Sequence, residues 1–182
     1  NQCTDKITKD ASPLTTFTYT HRDEQERKNA KDALDEAPDL VPYVIALNRG
    51  VGSIELIDEV DGNTKKFVRN GDYEEVETAD DYCLKTCVVD KYENGVRQPS
   101  ETVFLLESSK DFTPDNEPRV TVILPLHSID VGYEAFDYGK IPHLFLHLPL
   151  LGTSDWALNY IIHAPKFSCD KENRDNVRFS GN

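Results

Sequence analysis

The chain is poor in positive charge and contains a single tryptophan, Trp156. Its 182 residues carry 20 Lys and Arg against 33 Asp and Glu, a formal charge of −13. No basic cluster interrupts this acidity, so nucleic acid is excluded as an expected partner, because phosphate binding needs a positive surface. Long apolar runs are missing as well. No window approaches the roughly 20 apolar residues that a membrane-crossing helix requires, and no membrane partner is expected. There is no Asn-X-Ser/Thr sequon, no Gly-X-Ser-X-Gly elbow, no Walker loop and no dinucleotide fingerprint. With those motifs absent, no catalytic residue and no cofactor is expected.

What is present suits one globular domain. Hydrophobic residues make up 38% and charged residues 29% of the chain. A chain of this length buries about 70% of the surface its unfolded form exposes, enough for a substantial core. The expected organisation is an N-terminal arm and helix over 1–40, a β-barrel or sandwich over 41–169, and a polar tail over 170–182. The start, Asn1-Gln2-Cys3-Thr4, has neither Met nor a basic-then-apolar segment, as expected of a mature secreted chain after signal removal. A strongly acidic field favours cationic partners such as amines, basic peptides or Ca²⁺. Its plain alternative is solubility.

The four cysteines are Cys3, Cys83, Cys87 and Cys169. An even number without a Cys-X-X-Cys pair argues against a zinc site or a thioredoxin-type centre. Cys83 and Cys87 fall in a segment, 81–89, that reads as a strand. Residues four apart on a strand share a face but lie about 13 Å from each other. A disulfide needs Cα atoms within about 7 Å, so these two are expected to bridge to Cys3 and Cys169, in either of two pairings. Such bridges imply an oxidising, extracellular compartment.

Secondary-structure signals run as follows. Residues 13–20 are rich in β-branched and aromatic types and suit a short edge strand. Thr20 with Asp23 resembles a capping box, and Ala30, Ala33, Leu34 and Ala37 fall at helical spacing, so a helix is expected to end near Ala37-Pro38. From residue 41 the pattern turns to strands: 41–47, 53–60, 64–69, 73–78, 81–92, 96–107, 119–126, 143–148 and 156–163. Turns are expected at Asp61-Gly62-Asn63, Asn70-Gly71-Asp72 and Asn94-Gly95, with a bend near Pro99 and a loop over 110–118. Eight or nine strands with short connections predict a mainly antiparallel all-β fold, an up-and-down barrel or a sandwich, with one N-terminal helix.

These features resemble the lipocalin and wider calycin group over roughly residues 42–169. The resemblance rests on size, acidity, successive hairpins, and Gly132-Tyr133-Glu134 with Asp137-Tyr138, which are similar to the tyrosine-rich strand of blood-feeding arthropod lipocalins. It implies a barrel that sequesters small ligands such as amines and lipids, and a bridge from Cys83 or Cys87 to Cys169. The chain departs from the group in lacking a Gly-X-Trp motif at the first strand, and in carrying its helix before the barrel.

Other constellations are weaker. His143 and His147 would lie about 13 Å apart on one strand face, too far to share an ion, so a metal would need His127 or His163 to converge with one of them. No metal is expected. Setting Gly62 at the sixth position of a calcium loop puts Ile57 first and Val68 twelfth, where oxygen ligands belong. His127-Ser128-Ile129-Asp130 has triad residue types without the spacing that triads show. The apolar rows are more suggestive: Val120, Val122, Leu124 and Leu126; Leu144, Leu146 and Leu148; Trp156, Leu158, Tyr160 and Ile162. In a barrel they converge inward, as core or as the lining of a ligand cavity. The candidate ligand-binding residues are Trp156, Tyr160, Leu146, Phe145 and Tyr133, with Trp156 and Tyr160 suited to a cationic amine. The expected function is a secreted protein that sequesters a small hydrophobic or amine ligand. The alternative is an acidic interaction module that captures a basic protein such as a chemokine-like mediator.

Overall fold

A computed structural model of the chain describes residues 20–108, 110 and 120–164. Cys3, Cys169, the expected edge strand at 13–20 up to Tyr19, most of the 110–118 loop and the polar tail lie outside them. The chain divides between Glu36 and Ala37 into two compact units. In the first, the helix α1 (Glu24–Leu47) begins. The cap is Asp23 rather than Thr20: its Oδ1 accepts the Glu26 N–H at 2.8 Å, and Glu26 reaches back to the Arg22 N–H at 2.7 Å. Both placements put acid at the positive end of the helix.

The second unit opens with a correction. Residues 41–47, expected as a strand, form the last two turns of α1. Pro38 and Pro42 lie inside the helix, and each lacks the N–H an interior turn uses, at about 3 kcal/mol apiece. Burial outweighs that cost. Every residue from Val41 to Leu47 is buried, and each large apolar side chain among them contributes about 1.5–3 kcal/mol. The helix end is then tied down by polar groups. Asn48 Nδ2 donates to the Val44 carbonyl at 2.7 Å, and the Tyr73 hydroxyl donates to the Ala46 carbonyl at 2.9 Å. Arg49 and Arg69 each lie about 5.5 Å from the Tyr73 ring centre, holding it by cation–π contact.

The strands are β1 (Ser53–Asp58), β2 (Asn63–Arg69), β3 (Glu74–Thr78), β4 (Tyr82–Glu93), β5 (Val96–Ser108), β6 (Thr121–Leu124), β7 (Leu126–Ser128), β8 (Tyr133–Ala135), β9 (Leu144–Leu146), β10 (Leu148–Pro149) and β11 (Ile161–His163). Nine form one sheet in the order β1-β2-β4-β5-β6-β11-β9-β10, with β3 paired to the first half of β4. All pairings in it are antiparallel except β11 with β9. The fold is thus mainly antiparallel β with one N-terminal helix. Among the described residues the strand order is an open path, with no pairing of β1 to β10. The turns at Gly62, Gly71 and Asn94-Gly95 fall where expected, each glycine with positive φ. Beside Pro99 the register of β5 on β4 slips by one residue, as befits a residue without an N–H.

The core joins Val44 and Ile45 of α1 to Phe67, Val89, Val103, Leu105, Ile123, Phe145 and Ile161 of the sheet. In β6 the fully buried residue is Ile123, while Val122 and Leu124 are only half-buried. The expected inward row therefore has its parity reversed. The 156–163 strand is cut to 161–163, because Trp156 donates to Thr153 in a turn. Between β9 and β10, His147 takes a left-handed φ of 69°, which ends the expected 143–148 strand. Cys83 and Cys87 both occur on β4 and are not bonded to each other; both thiols are buried, and burial pushes that of Cys87 up to about 11. Among the described residues no helix is long and apolar enough to cross a membrane.

Candidate functional site

On β5, Glu101, Val103, Leu105 and Glu107 alternate along one face, so two acids are aligned with two core residues. Each acid meets a lysine of β4. Glu107, 5% exposed, accepts from Lys85 Nζ at 2.9 Å and lies 3.3 Å from Arg49. Glu101 accepts from Lys91 Nζ at 3.1 Å. Glu101 also acts electrostatically on the Tyr43 hydroxyl. Both partners of the Lys91–Glu101 pair keep about a third of their side chain exposed, 33% and 29%.

Space surrounds Glu101 but not Glu107. Two cavities of about 550 and 560 Å³ share the walls Tyr43, Lys91, Pro99, Glu101, Phe136 and Tyr138, making one cleft with two compartments. Among the described residues, Glu101 is the only carboxylate lining both. The first compartment adds Asp39, Glu93, Asp137, Lys65, Phe67 and Tyr92. The second adds Leu124, Leu126, His127 and Val103.

The aromatic walls are fixed edge to face. Tyr43 meets Tyr138 at 5.5 Å between ring centres, and Tyr138 meets Phe136 at 4.9 Å. Phe136 and Tyr138 sit on an irregular segment pinned at both ends. Asn159 accepts the Tyr138 N–H at 3.2 Å and donates to the Phe136 carbonyl at 2.9 Å, while the Tyr138 hydroxyl donates to Leu124 at 3.0 Å. Burial, reinforced by the charge of Glu101, raises both Tyr43 and Tyr138 well above the usual phenol range. Both hydroxyls therefore remain neutral donors. The chemistry on offer is cation recognition: a carboxylate paired with a single lysine, beside neutral phenols and ring faces and edges that suit an ammonium with an apolar body.

None of the five residues expected to bind ligand lines this cleft. Phe145 is fully buried in the core and Leu146 is half-buried. Tyr133 is exposed and packs on Phe104 at 4.9 Å. Trp156 and Tyr160 are also exposed, on the turns before β11. Of the lipocalin-like segment, Tyr138 lines both compartments and Asp137 lines the first. Glu101 had a readable signal, an acid in phase with Val103 and Leu105 on a strand.

The histidines form a separate group. His147 and His163 converge, with ring centres 5.1 Å apart. His147 Nδ1 lies 3.1 Å from Asn48 Oδ1, and the His147 carbonyl accepts from Asn48 Nδ2 at 2.7 Å. Among the described residues no cluster of three or more His, Cys, Asp or Glu could hold a metal. Burial, helped by the neighbouring His147, pushes His163 down to about 4. The Asn48–His147 bonds tie the end of α1 to the β9–β10 turn. No protein-family model, curated protein or solved structure matches the chain.

Proposed function

We propose that this protein is a secreted binder that sequesters a small amine with an apolar or aromatic body, its ammonium on Glu101. The observation that carries the reading is a partly buried carboxylate at the junction of two compartments, walled by Tyr43, Phe136 and Tyr138. The net charge of −13 adds long-range attraction for cations. A lipocalin-like carrier is the family reading that goes with this function, although the strand path here is open.

Secretion is part of the proposal, with Cys83 and Cys87 bridged to Cys3 and Cys169 in one of the two pairings. In its support, the two thiols are buried on one strand and unbonded to each other. Non-reducing peptide mapping of the secreted chain should find both long-range bridges; four free thiols would contradict this part.

The functional test is calorimetric titration with phenethylamine and, as an acid of similar shape, phenylpropionate. The amine should bind and the acid should not. Glu101→Gln should weaken the amine about tenfold or more, the usual worth of a charge-assisted hydrogen bond. Equal binding of amine and acid would overturn the reading. So would salt-sensitive capture of a basic protein by a chain that binds neither small molecule, the outcome that favours an interaction module.

A further inference from the structure

We infer that Lys91 is a tethered stand-in for the ligand: its ammonium occupies the amine subsite on Glu101 and must be displaced when an amine binds. The inference rests on the amine reading above. Lys91 lines both compartments of the cleft, as does the carboxylate it holds. Its Nζ sits 3.1 Å from Glu101 Oε2, where an incoming ammonium would seek the same oxygen. It comes from the next strand at the register slip beside Pro99, which also lines both compartments.

Displacement is energetically plausible. The Lys91 side chain is already a third exposed, so releasing its ammonium to water recovers most of its hydration. Ion pairs of this exposure are worth at most about 1 kcal/mol. A ligand whose body fills the space beside Leu124, Leu126 and Phe136 gains more from burying apolar surface. Glu107 makes the contrast. Its two cations leave a void of only about 20 Å³, with no room for an amine.

A second consequence is selectivity. An amine too small to fill the apolar compartment gains little from displacing Lys91, so methylamine should bind far more weakly than phenethylamine. The lysine thus screens out small cations by demanding an apolar body in exchange.

The test is calorimetric titration of phenethylamine into the full chain and a set of single variants. Lys91→Met should tighten binding roughly three- to fivefold, matching the strength of the removed ion pair. Lys91→Gln should do the same if the methionine variant folds poorly. Lys91→Arg should stay within about twofold of the parent, because the competitor's charge is kept. Lys140→Met removes one positive charge two residues beyond Tyr138, from an exposed side chain that lines neither compartment, and should also change affinity by less than about twofold. In the parent, saturating amine should move the Lys91 ε-methylene resonance toward its solvent position. Weaker binding by Lys91→Met would overturn the inference, making the lysine part of the receptor. An equal gain from Lys140→Met would overturn it too, as a field effect. If Glu101→Gln abolishes amine binding while Lys91→Met brings no gain, displacement fails and the amine site stands. If Glu101→Gln has no effect, the site reading itself fails.

Discussion

Glu107 and Glu101 are the same residue type on the same strand face, six positions apart, yet their surroundings make them different objects. Glu107 is closed in, held by Lys85 and Arg49 beside a void large enough for about one water. Glu101 has one lysine and lines two compartments of about 550 and 560 Å³. What separates a structural carboxylate from a binding one is the number of fixed cations and the space left over. Strand position alone does not distinguish them.

The largest effect should come from breaking the closed site. Glu107→Gln strands Lys85 with its side chain mostly buried, and should cost about 3 kcal/mol in urea denaturation. Glu101→Gln, by the same measurement, should cost no more than about 1 kcal/mol. Similar losses for the two would erase the contrast.

Next in size is a pH effect at His163, which lies against Glu107's neighbourhood. Its pKa falls from 6.5 to about 4 on folding, chiefly through burial. The unfolded chain therefore binds more protons between those values. The stabilisation is complete above pH 6.5 and is lost as pH falls toward 4, by about 3 kcal/mol in all. The difference in stability between parent and His163→Gln should shrink across that window. A constant difference would contradict the assignment.

The smallest effect concerns the open site's wall. Tyr138→Phe removes the hydroxyl bonded to Leu124 and should destabilise by about 1 kcal/mol. Its ring contacts to Tyr43 and Phe136 remain, so amine affinity should change little. A loss of binding as large as that of Glu101→Gln would mean that the hydroxyl, and not the ring, recognises the ligand.

Much of the sheet was legible because local chemistry settles it. Gly62, Gly71 and Asn94-Gly95 adopt positive φ at the expected turns, and β1 to β5 follow from them. Residues 41–47 were not legible: seven largely apolar residues have no period that separates strand from buried helix, and Pro38 reads as a helix end. Packing around the whole circumference decided it. The late strands were misread for a related reason. Their ends depend on Asn48 binding His147 across 99 residues and on Asn159 clamping Phe136 and Tyr138. The site itself was half legible. Tyr138 lay in a segment singled out, but the aromatic pair Trp156 and Tyr160 drew attention to turns that the cleft does not reach.

The most direct measurement is a pair of phenethylamine titrations at neutral pH and low salt, one on the parent chain and one on Glu101→Gln. Saturable binding by the parent, weakened about tenfold or more by the loss of one carboxylate charge, is the predicted result. Equal binding by both proteins, or none by the parent and by Lys91→Met alike, would contradict the assignment of Glu101 as the ligand's counter-ion.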